Sequence, residues 1–265
     1  MSTQGASSTR SLPYADHVRI ISADQPLHWF RLGWRDFEQA PTLSLCYGLV
    51  FVAAGLALTV GLWRLHAEDF VIPLASGFML LGPALTLGFQ AISRDLERHE
   101  QPSFARALLA WRTNAGAIFN FGMAFMCFFL LWLWLAQLVI DLTFPGSRGL
   151  DAYDLLKATF LSTEGLTFLT LFLALGAVMA AVAFTAGAFA IPMLLDRPVD
   201  IIEAIGTSFT AVALNLPTML VWAALLVLVT VAGMAVAYVS LLVTLPLAGY
   251  ATWHAYRAMI RLQDS

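Results

Sequence analysis

Five stretches of this chain contain no Asp, Glu, Lys or Arg: 39–63, 70–93, 113–140, 165–195 and 204–256. A helix needs about 20 predominantly apolar residues to cross a hydrocarbon core of about 30 Å. The first four stretches each have room for one such helix, and the fifth, 53 residues long, has room for two. Its turn is expected within 230–237, around Gly233. The spacing therefore predicts six spans, roughly 42–63, 70–92, 116–140, 166–191, 217–234 and 236–256. Hydrophobic residues make up 60% of the 265 residues and charged residues 12%, against about 45–50% and about 25% in an ordinary soluble domain. So little charge cannot keep a globule of this size wetted. That excludes a disordered chain, a secreted disulfide scaffold and a soluble enzyme. A β-barrel would need alternating segments of about ten residues, and runs such as 125–135 and 220–229 do not alternate. The expected fold class is all-α, a polytopic membrane bundle of six transmembrane helices with short interfacial amphipathic helices.

An even number of spans puts both termini on one side. Arg10, Arg19, Arg31, Arg35, Arg94, Arg98, Arg106, Arg112, Arg197, Arg257 and Arg261 share that side, and only Arg64, Arg148 and Lys157 lie opposite. Eleven against three predicts cytoplasmic termini. The outer loops carry Glu68, Asp69, Asp141, Asp151, Asp154 and Glu164. Residues 1–25 are Ser/Thr-rich without an apolar run and read as a flexible cytoplasmic tail, not a signal peptide. Residues 26–261 then form one integral membrane domain. The formal charge of −3 gives no global basic field, so nothing points to nucleic acid.

Self-similarity appears ahead of the spans. Leu27, Phe30, Trp34 and Phe37 are spaced like Ile202, Ile205, Phe209 and Val212; Phe104, Leu108 and Trp111 form a third, looser set. Each places an apolar stripe on a short helix, expected at the headgroup boundary or on the cytoplasmic end of the bundle. Pro41 and Pro217 follow the first and last of these helices, and proline suits the first turn of the next one. Arg94 lies eleven residues after Pro83, and Arg257 eleven after Pro246; the middle unit has Pro192 followed by Asp196 and Arg197. The chain thus reads as a threefold helix-plus-hairpin repeat, with units of about 27–98, 102–197 and 198–261.

Several motifs are shared with a known family: Gly33-Trp34-Arg35-Asp36-Phe37, Pro73 to Phe78 running on to Gly82-Pro83, Ser93-Arg94 with Glu97, Pro192 to Arg197, Asn215 with Pro217, and Ala251 to Arg257. Over roughly residues 27–257 the sequence resembles the bacterial predicted integral membrane proteins of the domain of unknown function 2189 family. The resemblance implies a six-span bacterial inner-membrane protein and no assigned activity. It also implies that histidine often stands where this chain has Tyr250, so a His-x-x-x-His pair with His254 is absent here.

Little in the sequence carries chemistry. Of His17, His28, His66, His99 and His254, only His254 falls within an expected span, at its cytoplasmic end, whereas a haem between helices needs two facing imidazoles. Cys46 and Cys127 have no second cysteine nearby and read as small apolar residues. Ion and proton pathways need ionisable groups deep in the bilayer, and no span has one near its centre. Asn120, Gln137 and Gln90 read as interhelical hydrogen bonders. Gly176-x3-Ala180 and Ala183-x3-Gly187 give the fourth span a small-residue face that suits a central place in the bundle. Pro83, Pro192 and Pro246 read as kinks, and the aromatic third span as lipid- or partner-facing bulk. No phosphate-binding, dinucleotide, serine-elbow or zinc-protease motif is present.

These readings assign no catalytic, cofactor-binding or metal residues and no cofactor. The structural candidates are Trp34, Arg35, Asp36, Pro83, Arg94, Asp196, Arg197, Asn215, Pro246, His254 and Arg257. The chain is expected to be a non-enzymatic membrane protein that binds or scaffolds another component, its partners being membrane lipids and another membrane protein or complex. A transporter or channel for an apolar or amphipathic solute is the alternative. A cavity lined by Asn120, Gln137 and Gln90 favours transport, and a closed aromatic bundle favours scaffolding. At least one of Arg94 and Arg257 is expected to pair with Asp36, Asp196, Asp200 or Glu203, because a guanidinium at a span end seeks a carboxylate.

Overall fold

The computed structural model describes residues 14–67, 70–144, 152–235 and 239–261. Among them the chain is all-helical, apart from one isolated antiparallel bridge between Val18 and Ile260. The helices are α1 (Gln25–Gln39), α2 (Pro41–Arg64), α3 (Val71–Leu85), α4 (Leu87–Glu97), α5 (Phe104–Leu108), α6 (Ala115–Thr143), α7 (Ala152–Leu161), α8 (Thr163–Gly187), α9 (Ala190–Asp196), α10 (Ile201–Leu214), α11 (Leu216–Ala235) and α12 (Leu241–Met259). Pro41 and Pro217 lie in the first turns of α2 and α11, as their missing N–H and fixed φ favour. Ser103, Ser162 and Asp200 cap α5, α8 and α10, each side chain accepting the N–H three residues on.

Among the described residues, four helical segments are long and apolar enough to cross a membrane: Pro41–Arg64, Ala110–Thr143, Thr163–Asp196 and Leu216–Gly233. The other two expected spans differ for separate reasons. The second is divided at Thr86 into α3 and α4, neither long enough by itself. α12 has the length, but its second half carries Tyr250, Thr252, His254, Tyr256 and Arg257, which dilute its hydropathy. Gly233 is not in the turn expected around it. It sits inside α11, where a Cβ would come within 2.3 Å of Thr244 Oγ1, so it serves a close approach of α11 to α12. The helix α7 lies in what read as an outer loop; Asp151 there, like Glu68 and Asp69, falls outside the described residues.

The helices α4, α9 and α12 form the centre, most of their residues being buried. α3 packs on α8, and α4 on α12 and α9. The short amphipathic helices lie across one end, on different helices: α1 on α12, α5 on α4, and α10 on α8 and α9. The contact of α1 with α12 is the most extensive of these, and it needs Gly33, because a Cβ there would meet the Ala251 backbone nitrogen at 2.9 Å. The apolar stripes divide between core and exterior. Phe30, Phe37 and Ile205 pack against buried residues and Val212 is itself buried, whereas Leu27, Trp34, Ile202 and Phe209 face outward. Tryptophans Trp29 and Trp222 meet edge to face, ring centroids 5.3 Å apart, and join α1 to α11.

The stretch read as a flexible tail changes character within its length. Residues 1–13 lie outside the described residues, but from Tyr14 onward the chain is docked. Arg19 N donates to Met259 O and Arg261 N to His17 O, both at 2.8 Å, while Ile21 N donates to Asn215 Oδ1 at 2.9 Å. The first and last described residues therefore lie at the same end of the bundle as α1, α5 and α10.

Candidate functional sites: a polar belt and a lateral cavity

Two features stand out against the apolar bulk: a belt of bonded polar side chains where the amphipathic helices lie, and a cavity beside it. In the belt, three carboxylates organise the arginines and aromatics. Asp196, at the end of α9, accepts from Tyr256 Oη at 2.8 Å and from Arg98 Nη2 at 3.2 Å, with Arg257 Nη1 at 3.7 Å. Glu97, at the end of α4, accepts from Trp253 Nε1 at 2.8 Å and from Arg257 Nε and Nη2 at 2.9 and 2.8 Å. Asp36, buried on α1, accepts from Ser93 Oγ on α4 and lies 2.8 Å from His254 Nε2 on α12.

The Ser93, Asp36 and His254 set has the composition of a hydrolytic triad but the wrong order. A serine nucleophile needs the imidazole at its hydroxyl and the carboxylate behind the imidazole. Here Asp36 sits between the other two and receives both, so the set is a carboxylate bridge joining α1, α4 and α12. His254 is engaged through Nε2 with Asp36. Among the described residues no group of three His, Cys, Asp or Glu side chains is placed to hold a metal ion.

The arginines reach between helices far apart in the chain. Arg257 pairs with Asp196, as expected, but its shorter bonds are to Glu97, which was not among the acids expected for it. Arg94 meets none of those acids. It donates from Nη1 to the Leu195 carbonyl at 3.0 Å and lies 3.5 Å from its own neighbour Asp95. A helix-end carbonyl lacks an intrahelical donor, so it satisfies a guanidinium as a carboxylate would. Arg197 donates from Nη2 to Arg261 O at 2.8 Å. Asp95, just past the expected second span, is 3.3 Å from Arg106 Nε. Burial pushes its carboxyl above the usual carboxylate range; Arg106 and Arg94 pull it partly back and Glu100 adds to the rise.

The remaining candidates fall in different places. Asn215 is buried, donates to Arg19 O and Ala211 O, both at 3.1 Å, and holds the N-terminal segment on α10. Pro246 is buried inside an unbroken α12. Trp34 is exposed, donates to Glu38 Oε1 at 2.7 Å and stacks on Phe37. Arg35 is exposed. Pro83 belongs to α3, and its ring lies outside the described residues. Sequence reasoning missed Ser44, whose hydroxyl is 2.6 Å from Tyr250 Oη, and Asn114, which donates to Val199 O at 2.8 Å. Their only signal was polarity at the edge of an apolar run.

The cavity has a volume of about 400 Å³ and lies among α3, α8, α10, α11 and α12. Its walls include Ala177, Ala180, Gly187, Leu216, Trp222 and Ala223. Of the small residues read in α8, Ala180, Ala183 and Gly187 border this space, whereas Gly176 packs against Trp132 of α6. The amides are elsewhere: Gln90 donates to Thr86 Oγ1 and Gln137 to Asp141, each four residues away along the chain, and Asn120 is exposed. They are not the interhelical bonders expected, and none lines the cavity.

Among known families, the model described as predicted integral membrane protein (DUF2189) matches residues 71–196. That segment runs from α3 through α9, a narrower match than the 27–257 over which the motifs were read. Neither a curated protein nor a solved structure matches the chain.

Proposed function

We propose, from the premise that this chain is an integral multi-pass membrane protein similar to the DUF2189 family over residues 71–196, that it is a non-enzymatic binding protein holding an apolar component of its membrane. The observation that carries this reading is the cavity, concave and apolar and of the size of small-ligand sites, about 300–1,000 Å³. The belt supports it from the other side. Its polar groups bond one another in arrangements that fix helices, and the Ser93 hydroxyl meets the Asp36 carboxylate and not the His254 imidazole. The cavity wall lacks Asn120, Gln137 and Gln90, the lining that would favour the transport alternative.

In this reading α3 with α4, and α12 with the segment before it, complete six spans. Both termini are cytoplasmic in the inner membrane of a bacterium, on the charge distribution and the resemblance. The threefold repeat is supported by two cyclic patterns. Each amphipathic helix lies on the central helix of the preceding unit: α1 on the third unit, α5 on the first, α10 on the second. Near the end of each unit's last helix an arginine reaches the following unit: Arg94 to Leu195, Arg197 to Arg261, Arg257 to Glu97.

Purification from native membranes in mild detergent, with identification of co-eluting lipids and proteins, tests the binding reading. A stoichiometric apolar component is the expected result; elution with none refutes it. Reporter fusions after Ser265 should behave as cytoplasmic and fusions within 146–150 as external, and the reverse pattern overturns the six-span topology.

A further inference from the structure

The cyclic packing has one missing member, and the cavity lies there. The first long helix of unit one, α2, packs on α12 of unit three, and α6 of unit two packs on α3 of unit one. By the same rule α11 of unit three would pack on α8 of unit two. Instead it leans on α12 and makes no substantial contact with α8. The gap opens sideways between two helices whose outer surfaces are apolar, with Val178 and Val182 exposed on one and Leu220, Val227 and Leu228 on the other. A gap at that position faces the lipid.

Its contents are restricted by chemistry and by size. The hydroxyls of Thr86, Thr185 and Thr252 in the wall donate to carbonyls four residues back on their own helices, at 3.1, 2.6 and 2.7 Å. With Thr230 they are the polar side chains of a wall otherwise built of apolar residues and glycine, poor in the two to four partners each water needs to stay in such a space. A helix from another chain, about 10 Å across, would need the whole width of the gap. A hydrocarbon chain is far thinner and has no polar atoms to satisfy, so it suits this apolar wall.

We infer that the space between α8 and α11 is a lateral site for one fatty-acyl chain, entering from the bilayer. This inference rests on the binding reading above and narrows it to one ligand chemistry. The chain could belong to a free fatty acid or to one tail of a glycerophospholipid, since both present the same methylenes.

The purified full-length protein, reconstituted in phosphatidylcholine vesicles, is exposed to two photoactivatable probes. One is palmitic acid with a diazirine in mid-chain; the other is phosphatidylcholine carrying the same acyl group. Labelling mapped by mass spectrometry should fall on 177–188 and 216–230 and be abolished by excess unlabelled competitor. Labelling of the outward face of α2, within 49–60, should be unsaturable. Ala223→Phe should reduce the saturable labelling several-fold and leave α2 unchanged, and Ala180→Phe, from the opposite wall, should do the same. Thermal unfolding of each variant shows whether it has folded, and either folded variant decides the matter. Saturable labelling by one probe alone identifies the source of the chain. Labelling at α8 and α11 that neither competitor nor substitution changes overturns the inference, as does a cross-link showing another helix seated there. If the inference falls while native purification still returns a bound apolar component, the site is wrong and the binding reading stands.

Discussion

Helices α2 and α12 pack against each other and have opposite characters. α2 is among the most hydrophobic segments, with mean hydropathy 2.2 over its best window, yet only 11% of that window is buried. Its fully buried residues are Ser44, Gly48 and Val52. α12 is too polar to qualify as a span by composition, yet twelve of its nineteen residues are buried, among them Tyr250, Trp253 and Tyr256. Lipid is as apolar as leucine, so hydrophobicity does not drive one membrane helix inward past another. Close packing and hydrogen bonding do, and these need small residues, aromatics with polar ends and bonded polar groups. The more hydrophobic helix is therefore the peripheral one.

The largest expected break in this contrast comes from Trp253, which is 1% exposed and donates to Glu97. Trp253→Ala should cost about 3–5 kcal/mol, whereas Leu58→Ala on the exposed side of α2 should stay within about 0.5 kcal/mol. Thermal unfolding of the two variants in detergent checks the difference. Equal losses would mean that α12 is not the structural centre.

A pair of glycines sharpens the comparison. A side chain at Gly33 meets α12 backbone, whereas one at Gly61 in α2 meets nothing within 4 Å. Gly33→Val should cost about 1–3 kcal/mol through overpacking, and amide exchange should rise across 25–39 as α1 lifts. Gly61→Val should change neither.

Asp36→Asn keeps the shape of the bridge to Ser93 and His254 but makes its hydrogen bonds neutral. A loss of about 1 kcal/mol is expected, since bonds to charged groups are the stronger ones. Hydrogen exchange at the junction of α1 with α12 should rise with it, while the α2 surface stays unchanged.

The smallest effect is at Asp95. Its pKa is raised in the folded protein, so its stabilising contribution is present below the unfolded value and is lost as pH rises through the folded one. Acidification through that window should stabilise the wild type, and Asp95→Asn should flatten the dependence. At neutral pH the variant should lie within about 1 kcal/mol of wild type, because relief of the cost of burying the carboxylate offsets the ion pairs given up with Arg106 and Arg94. A steeper pH dependence in the variant would contradict this.

Much of the fold was legible in the chain because long uncharged runs and proline-marked starts are local signals. The short helices that the apolar stripes marked are there, two as α1 and α10 and the third as α5 followed by a 3-10 helix over Ala110–Asn114. The belt was half legible. Asp36, Arg94, Asp196, His254 and Arg257, singled out in the sequence, lie in it, but most of their partners were not read there. Arg94 settles on a backbone carbonyl that no sequence pattern marks, and Glu97 takes both Trp253 and Arg257 across more than 150 residues. The cavity left no local trace, since the same alanines of α8 would suit either a tight helix contact or a gap.

The sequence by itself determined that this chain is helical, resides in a membrane and carries its amphipathic helices ahead of the long apolar ones. Those properties follow from the period and length of apolar runs, which any short window contains. Only the tertiary structure decided which helix is central, which arginine meets which acceptor, and that α11 leaves α8 uncovered. Each of those depends on distances between groups far apart in the chain. In a medium where every apolar surface is already content, shape and hydrogen bonding choose among the arrangements that hydropathy allows.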